Sequence, residues 1–169
     1  MIIETINKLK DVLINDYSIT AWCQEKYEKA QTVYEGVNNH YPIESLNYPV
    51  ITLTEIKWIA GERPLSGSVF IAFAVGVKND KILDADGNEL VRNEANTTNA
   101  ETLPGLTESI EFLGVVQEAI REAQIAGTTR KLFPGVDFSA GNGTETFFPR
   151  HIAYTEMTLG LIDDKNNNL

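Results

Sequence analysis

Between Tyr48 and Lys78 the chain reads YPVITLTEIKWIAGERPLSGSVFIAFAVGVK, and its second half alternates strictly: Val69, Ile71, Phe73, Val75 and Val77 interleave with Ser68, Phe70, Ala72, Ala74 and Gly76. A period of two is the mark of a strand with one face in a core. In the first half, Ile51 and Leu53 share a parity that Ile56 and Trp58 break. That switch predicts either a bulge near Thr54 and Glu55 or an outer end facing a partner. The intervening AGERPLSG supplies two glycines and a proline for a turn. An antiparallel hairpin of two long strands is therefore expected to organise the chain.

Upstream, Ile2, Ile6, Leu9 and Leu13 recur at helical spacing, and Ser18 is placed to cap a second helix running to about Lys29 with Ile19, Trp22, Cys23 and Tyr27 inward. Thr32 to Val37 reads as a short first strand, followed by an exposed link, NNHYPIESLNYP. Downstream, NDKILDADGNEL predicts a turn closing a small flap between Lys81 to Leu83 and Glu89 to Val91. The whole stretch from Asp80 to Gly105 is a polar excursion, expected to be mobile in the free protomer. Thr107 is expected to cap a long helix with an apolar stripe of Ile110, Leu113, Val116, Ile120 and Ala123, ending at Gly127. Glu108, Glu111, Glu118, Arg121 and Glu122 fall outside the stripe. Gly114, which costs about 1 kcal/mol against alanine in a helix, is expected to mark a close approach to the sheet.

A second mobile loop is expected from Thr128 to Thr146, with Gly135, Gly141 and Gly143; its Phe133 and Phe138 could pack on their own domain or on a neighbour. The last strand, His151 to Ile162, puts Ala153, Thr155, Met157, Leu159 and Leu161 on its core face. These elements make one domain over residues 1–162 with a flexible tail at 163–169. The expected fold class is α+β: two layers, a mainly antiparallel sheet with helices packed on one face. The opposite face would then present Tyr34, Trp58, Phe70, Ile152 and Tyr154 to solvent or to a partner.

Composition narrows the function. A formal charge of −10 over 169 residues argues against a surface that grips nucleic acid, although a channel wall that DNA must slide past would gain from acidity. No apolar run approaches the ~18 residues of a membrane span, and the amino terminus lacks a signal-peptide pattern, so a soluble protein made in the cytoplasm is expected. Cys23 is the only cysteine and reads as a buried thiol. His40 and His151 lie too far apart in sequence, with no nearby acids, to spell a metal site. Asp84, Asp86 and Asn88 alternate like a calcium loop, but the glycine and the closing acid fall at the wrong positions. GNGTET lacks the lysine and following hydroxyl of a phosphate loop. Asp84, Asp86, Asp137, Ser66 and Ser139 form no legible catalytic set, so no catalytic, cofactor or metal residues are assigned.

The layout as a whole, with TVYEGV, a proline-containing link, YPVITL, a second long strand, a polar excursion, a helix and a last strand, resembles the tail terminator (tail completion) proteins of long-tailed bacteriophages. The similarity extends to about Ile162. In that family a small α+β unit forms a six-membered ring that caps the tail tube, stops its growth and offers a docking face to the head connector. The resemblance implies a virion structural protein without catalysis or cofactor, found in the tail or neck and in host cytoplasm during assembly. Its implied partners are further copies of itself in a homohexamer, the tail tube protein and the head connector or stopper; genomic DNA would pass through the lumen without specific binding. The alternatives are another head-tail joining protein, a small-molecule or adaptor-binding module, and an unrecognised hydrolase.

Overall fold

The computed structural model describes residues 2–36, 45–60, 67–90 and 102–160. His40, Ser66, much of the expected link, the hairpin tip, the stretch 91–101 and the tail from 161 lie outside the described residues. In chain order the elements are α1 (Ile2–Asn15), α2 (Tyr17–Tyr27), β1 (Thr32–Glu35), β2 (Val50–Ala60), β3 (Gly67–Lys78), α3 (Pro104–Glu122), β4 (Asp137–Phe147) and β5 (Arg150–Gly160). The five strands form one sheet in the order β1-β2-β3-β5-β4. Only β1 and β2 run parallel; the other pairs are antiparallel. Helix α3 lies on β3 and β5, and α1 and α2 pack on α3. The fold is α+β.

The hairpin of β2 and β3 carries its bulge between Leu53 and Glu55, and the Thr54 hydroxyl donates to the Ala72 carbonyl at 2.9 Å. Past the bulge, Ile56 pairs with Ile71 and Trp58 with Val69, so both return to the helix side of the sheet. This corrects the placement of Trp58 on the opposite face. Helix α3 sits over β3 and β5 rather than over the outer half of β2, which leaves Ile56 36% and Trp58 58% exposed. Strand β5 follows its expected parity: His151, Ala153, Thr155, Met157 and Leu159 are all buried opposite Val77, Val75, Phe73, Ile71 and Val69.

The helices depart from expectation at their ends. The carboxylate of Asp16, not Ser18, caps α2, accepting from the backbone amides of Ser18 at 2.8 Å and Ile19 at 3.1 Å. Helix α3 starts at Pro104, with Leu103 as its uncapped boundary residue, rather than at Thr107; proline is at home there because its missing N–H would have no helical partner. It ends at Glu122, and Gly127 instead serves the turn that brings Gln124 back to Lys131. Its buried stripe is Phe112, Leu113, Val116, Ala119 and Ile120, while Ile110 is 52% exposed. The stripe is turned toward α2 because the Phe112 ring stacks on Trp22, with centroids 4.8 Å apart and planes within 2°.

The largest correction is β4. An edge strand of 11 residues, all but Phe147 expected to be loop, pairs with β5 from Gly141 to Phe147, after a register shift that follows Asp137. Phe133 and Phe138 are buried in their own domain, the latter with the Arg121 guanidinium 4.7 Å from its ring centroid.

Two glycines of α3 test the packing in opposite directions. A Cβ on Gly105 would lie 2.2 Å from Cδ2 of His151, which is fully buried and has no room to retreat. Gly105→Ala is therefore expected to destabilise by about 1–3 kcal/mol through overpacking. Gly114 was expected to mark close approach to the sheet, but it is exposed and nothing lies within 4 Å of its would-be Cβ. Gly114→Ala is expected to stabilise by about 0.5–1 kcal/mol through helix propensity. Urea melts of the two variants measure both; equal signs would contradict the placement of α3.

Candidate assembly surface

The helix layer covers one side of the sheet, and the cross-strand register identifies what lies on the other. Phe70 pairs with Thr158, Ala72 with Glu156, Ala74 with Tyr154 and Gly76 with Ile152, all of them out of phase with the core residues of β3 and β5. Near one end this face is closed by Tyr48 and Val50, both buried, whose side chains would meet a Cβ on Gly76 at 2.8 and 2.9 Å. Toward β4 it opens. Tyr154 lays its ring over Gly143, where a Cβ would fall 2.2 Å from the phenol, yet it remains 45% exposed; Phe147 at the end of β4 is 41% exposed. Alanines and glycine along β3 leave Phe70 and Tyr154 as the prominent groups at its centre, and the Lys57 ammonium lies 5.6 Å from the Phe70 ring centroid. On β1, the half-buried Tyr34 accepts a hydrogen bond at its hydroxyl from the Asn47 amide at 3.3 Å. Sequence parity thus placed Tyr34, Phe70, Ile152 and Tyr154 on this side, and missed Phe147.

His151, Tyr27, Cys23 and Asp84 are engaged structurally. Asn79 accepts at its backbone carbonyl from the direction of His151 Nε2, 3.1 Å away, which makes Nε2 the protonated nitrogen and leaves Nδ1 to accept from the Thr146 hydroxyl at 3.4 Å. Both nitrogens of this buried imidazole are thereby used. The Tyr27 hydroxyl donates to Glu108 at 2.5 Å, and Asn79 Nδ2 donates to the same oxygen at 3.0 Å. Burial, reinforced by the Glu108 carboxylate, pushes the Tyr27 phenol well above its ordinary range and keeps it a donor. Burial also pushes the Cys23 thiol up to about 12, so it stays protonated and unreactive. Asp84 is spent on the flap turn. Its carboxylate accepts from the amides of Asn88 at 2.8 Å and Asp86 at 2.9 Å, and the Asn88 contacts above all hold it below the usual carboxylate range.

Asp86 and Asp137 are exposed and are not joined to Asp84 in any cluster: among the described residues no three His, Cys, Asp or Glu side chains are grouped to hold a metal. The side chain of Ser139 lies outside the described residues. A cleft of about 570 Å³ beside Tyr27 is lined by Lys26, Lys78 and Lys81 but equally by Asp80, Glu89 and Glu108, so its charges balance and it selects for neither sign. No helix among the described residues is long and apolar enough to cross a membrane. No protein-family model matches the chain, and no curated protein matches its sequence. What the molecule offers to other molecules is read from the open sheet face, with Phe70 and Tyr154 at its centre, and from the edge beside it.

Proposed function

We propose that this protein is a structural subunit of a phage particle: a tail-terminator-like protein that forms a ring at the head-proximal end of the tail tube, ends tube growth and joins the tail to the head connector. The observation that carries the reading is the one-sided helix layer, which leaves a sheet face with Phe70, Ile152 and Tyr154 and, among the described residues, an edge strand β4 paired on one side only for neighbouring molecules. A heterologous contact of that kind closes into a ring when its rotation permits. The element order is compatible with it, with two helices, a strand, a long hairpin and a helix as expected, then a pair of strands, β4 and β5, where a single final strand was expected. The charge of −10, multiplied around a channel, would repel DNA in transit rather than bind it. The role is architectural, without a cofactor, and its partners are copies of itself, the tube protein and the head connector or stopper.

Imaging of assembled tails carrying a labelled copy tests this. The label is expected in a six-fold ring at the head-proximal end, around an acidic lumen. Absence from the particle would overturn the reading, and a basic lumen would overturn the charge argument. Tyr154→Asp, at an exposed position, is expected to fold normally but to lose ring formation.

A further inference from the structure

We infer that the sheet continues from one subunit into the next, the outer edge of β4 receiving the β1 edge of a neighbouring copy; this rests on the ring reading above. Among the described residues, strand β4 is last in the sheet order and pairs on one side only, with β5. In an antiparallel pair every second residue turns its N–H and C=O away from the partner strand. Edges that stay solitary are usually blunted by proline, lysine or a short length. From Gly141 to Phe147 the strand reads GNGTETF, with neither proline nor lysine and a single charge, Glu145. The strand is also held ready. Gln117 of α3 donates to Asn142 Oδ1 and Thr155 Oγ1, both at 3.1 Å, and the Thr155 hydroxyl donates to the Gly141 carbonyl at 3.3 Å. A pre-ordered strand loses little freedom on pairing.

Strand sense identifies the occupant. β1 runs with β2, β2 against β3, β3 against β5 and β5 against β4, so the two edges of the sheet run in opposite directions. A copy added by a rotation that keeps strand sense lays its β1 antiparallel on β4, the better-pairing arrangement. Pairing β4 with β4 would instead need a two-fold axis, which joins two copies and stops. Glu35, the only charge on β1, pairs with core-facing Leu53 on the helix side, where Lys10 lies 3.1 Å away, whereas Glu145 pairs with Ile152 on the open side, so the two carboxylates fall on opposite faces of a continued sheet.

The full chain is tested in two ways. Backbone amide exchange is compared between free protomer and assembled oligomer. The outward amides within a run of about four of residues 141–147, matching the length of β1, and those of β1 not bonded to β2, are expected to slow by at least about tenfold together on assembly. Thr144→Pro and Glu145→Pro are then compared: neighbouring residues alternate in direction, so one variant removes an amide used by β5 and the other an outward amide. The outward variant is expected to fold, by circular dichroism, and to remain monomeric by sedimentation. A ring whose β4 amides exchange as fast as in the protomer overturns the inference and leaves the ring reading standing. So does a folded outward variant that assembles like the parent. A protein that never assembles, alone or on tails, overturns both, and a two-fold dimer protected at β4 but not at β1 overturns the choice of partner edge.

Discussion

Met157→Asp is expected to yield no soluble folded protein, while Glu156→Gln, one residue away, unfolds at the parental denaturant midpoint. Met157 is fully buried in β5, opposite Ile71 and within the core shared by β3, β5 and the helices. A carboxylate there loses its water and meets aliphatic neighbours, at a cost of several kcal/mol even if it takes up a proton. Total stabilities of single domains are only about 5–15 kcal/mol, so one such group can consume most of the margin. Glu156 points to the open face between Ala72 and Gly141, and its amide replacement keeps the shape and the solvent contact. Soluble yield and urea melts decide the matter. The reverse outcome would place β5 one residue out of register, because a single-residue slip exchanges the two faces.

Phe112→Ala is expected to destabilise by about 3–5 kcal/mol, the range for an aromatic side chain deleted from a packed core. The ring is fully buried and stacked on Trp22, so truncation removes apolar burial, leaves a void and also loses an aromatic pair contributing about 0.5–1.5 kcal/mol of its own. Leu113→Ala, beside it, is expected to cost about 2–5 kcal/mol by burial and cavity formation alone. The difference matters for the helix layer: Leu113 is one member of the shared core, whereas Phe112 also joins α2 to α3 through Trp22. Denaturant melts with unchanged slope measure both; a loss under about 1 kcal/mol for Phe112 would mean that α2 and α3 repack without it.

The sequence revealed those strands whose two faces meet different surroundings. Val69, Ile71, Phe73, Val75 and Val77 face the core and are all buried, and the same contrast made β5 readable. β4 had no such contrast. Asn142, Thr144 and Thr146 share the sides of Thr155, Ala153 and His151, yet they sit at the margin of the helix layer, where Gln117 reaches Asn142, and stay exposed, so polar residues run along both faces of the strand. Only the alternation of Thr144 and Thr146 hinted at it. Trp58 was misplaced for another reason: the bulge at Thr54 adds one residue and resets the phase, so parity counted from Leu53 gives the wrong face. At α3 the Leu-Pro pair was the better start signal, and the stripe was misphased because a helix packed on both a sheet and another helix buries a wider arc than one stripe describes. The open face was legible at Phe70, Ile152 and Tyr154, but the closure of the His151 imidazole by Asn79 joins residues 72 apart in sequence and left no local trace.

Trp22 and Trp58 give the molecule two optical reporters with separate duties. Trp22 is pressed against Phe112 between α2 and α3, so its emission follows the integrity of the helix layer. Trp58 stands on the outer half of β2 beyond that layer, largely in water, and its emission shifts to shorter wavelength only when another surface covers it. They are the only tryptophans in the chain. A Trp22→Phe variant therefore isolates a signal from the hairpin's outer half, and a Trp58→Phe variant isolates one from unfolding, so that association and stability can be followed by the same light in two single-tryptophan proteins.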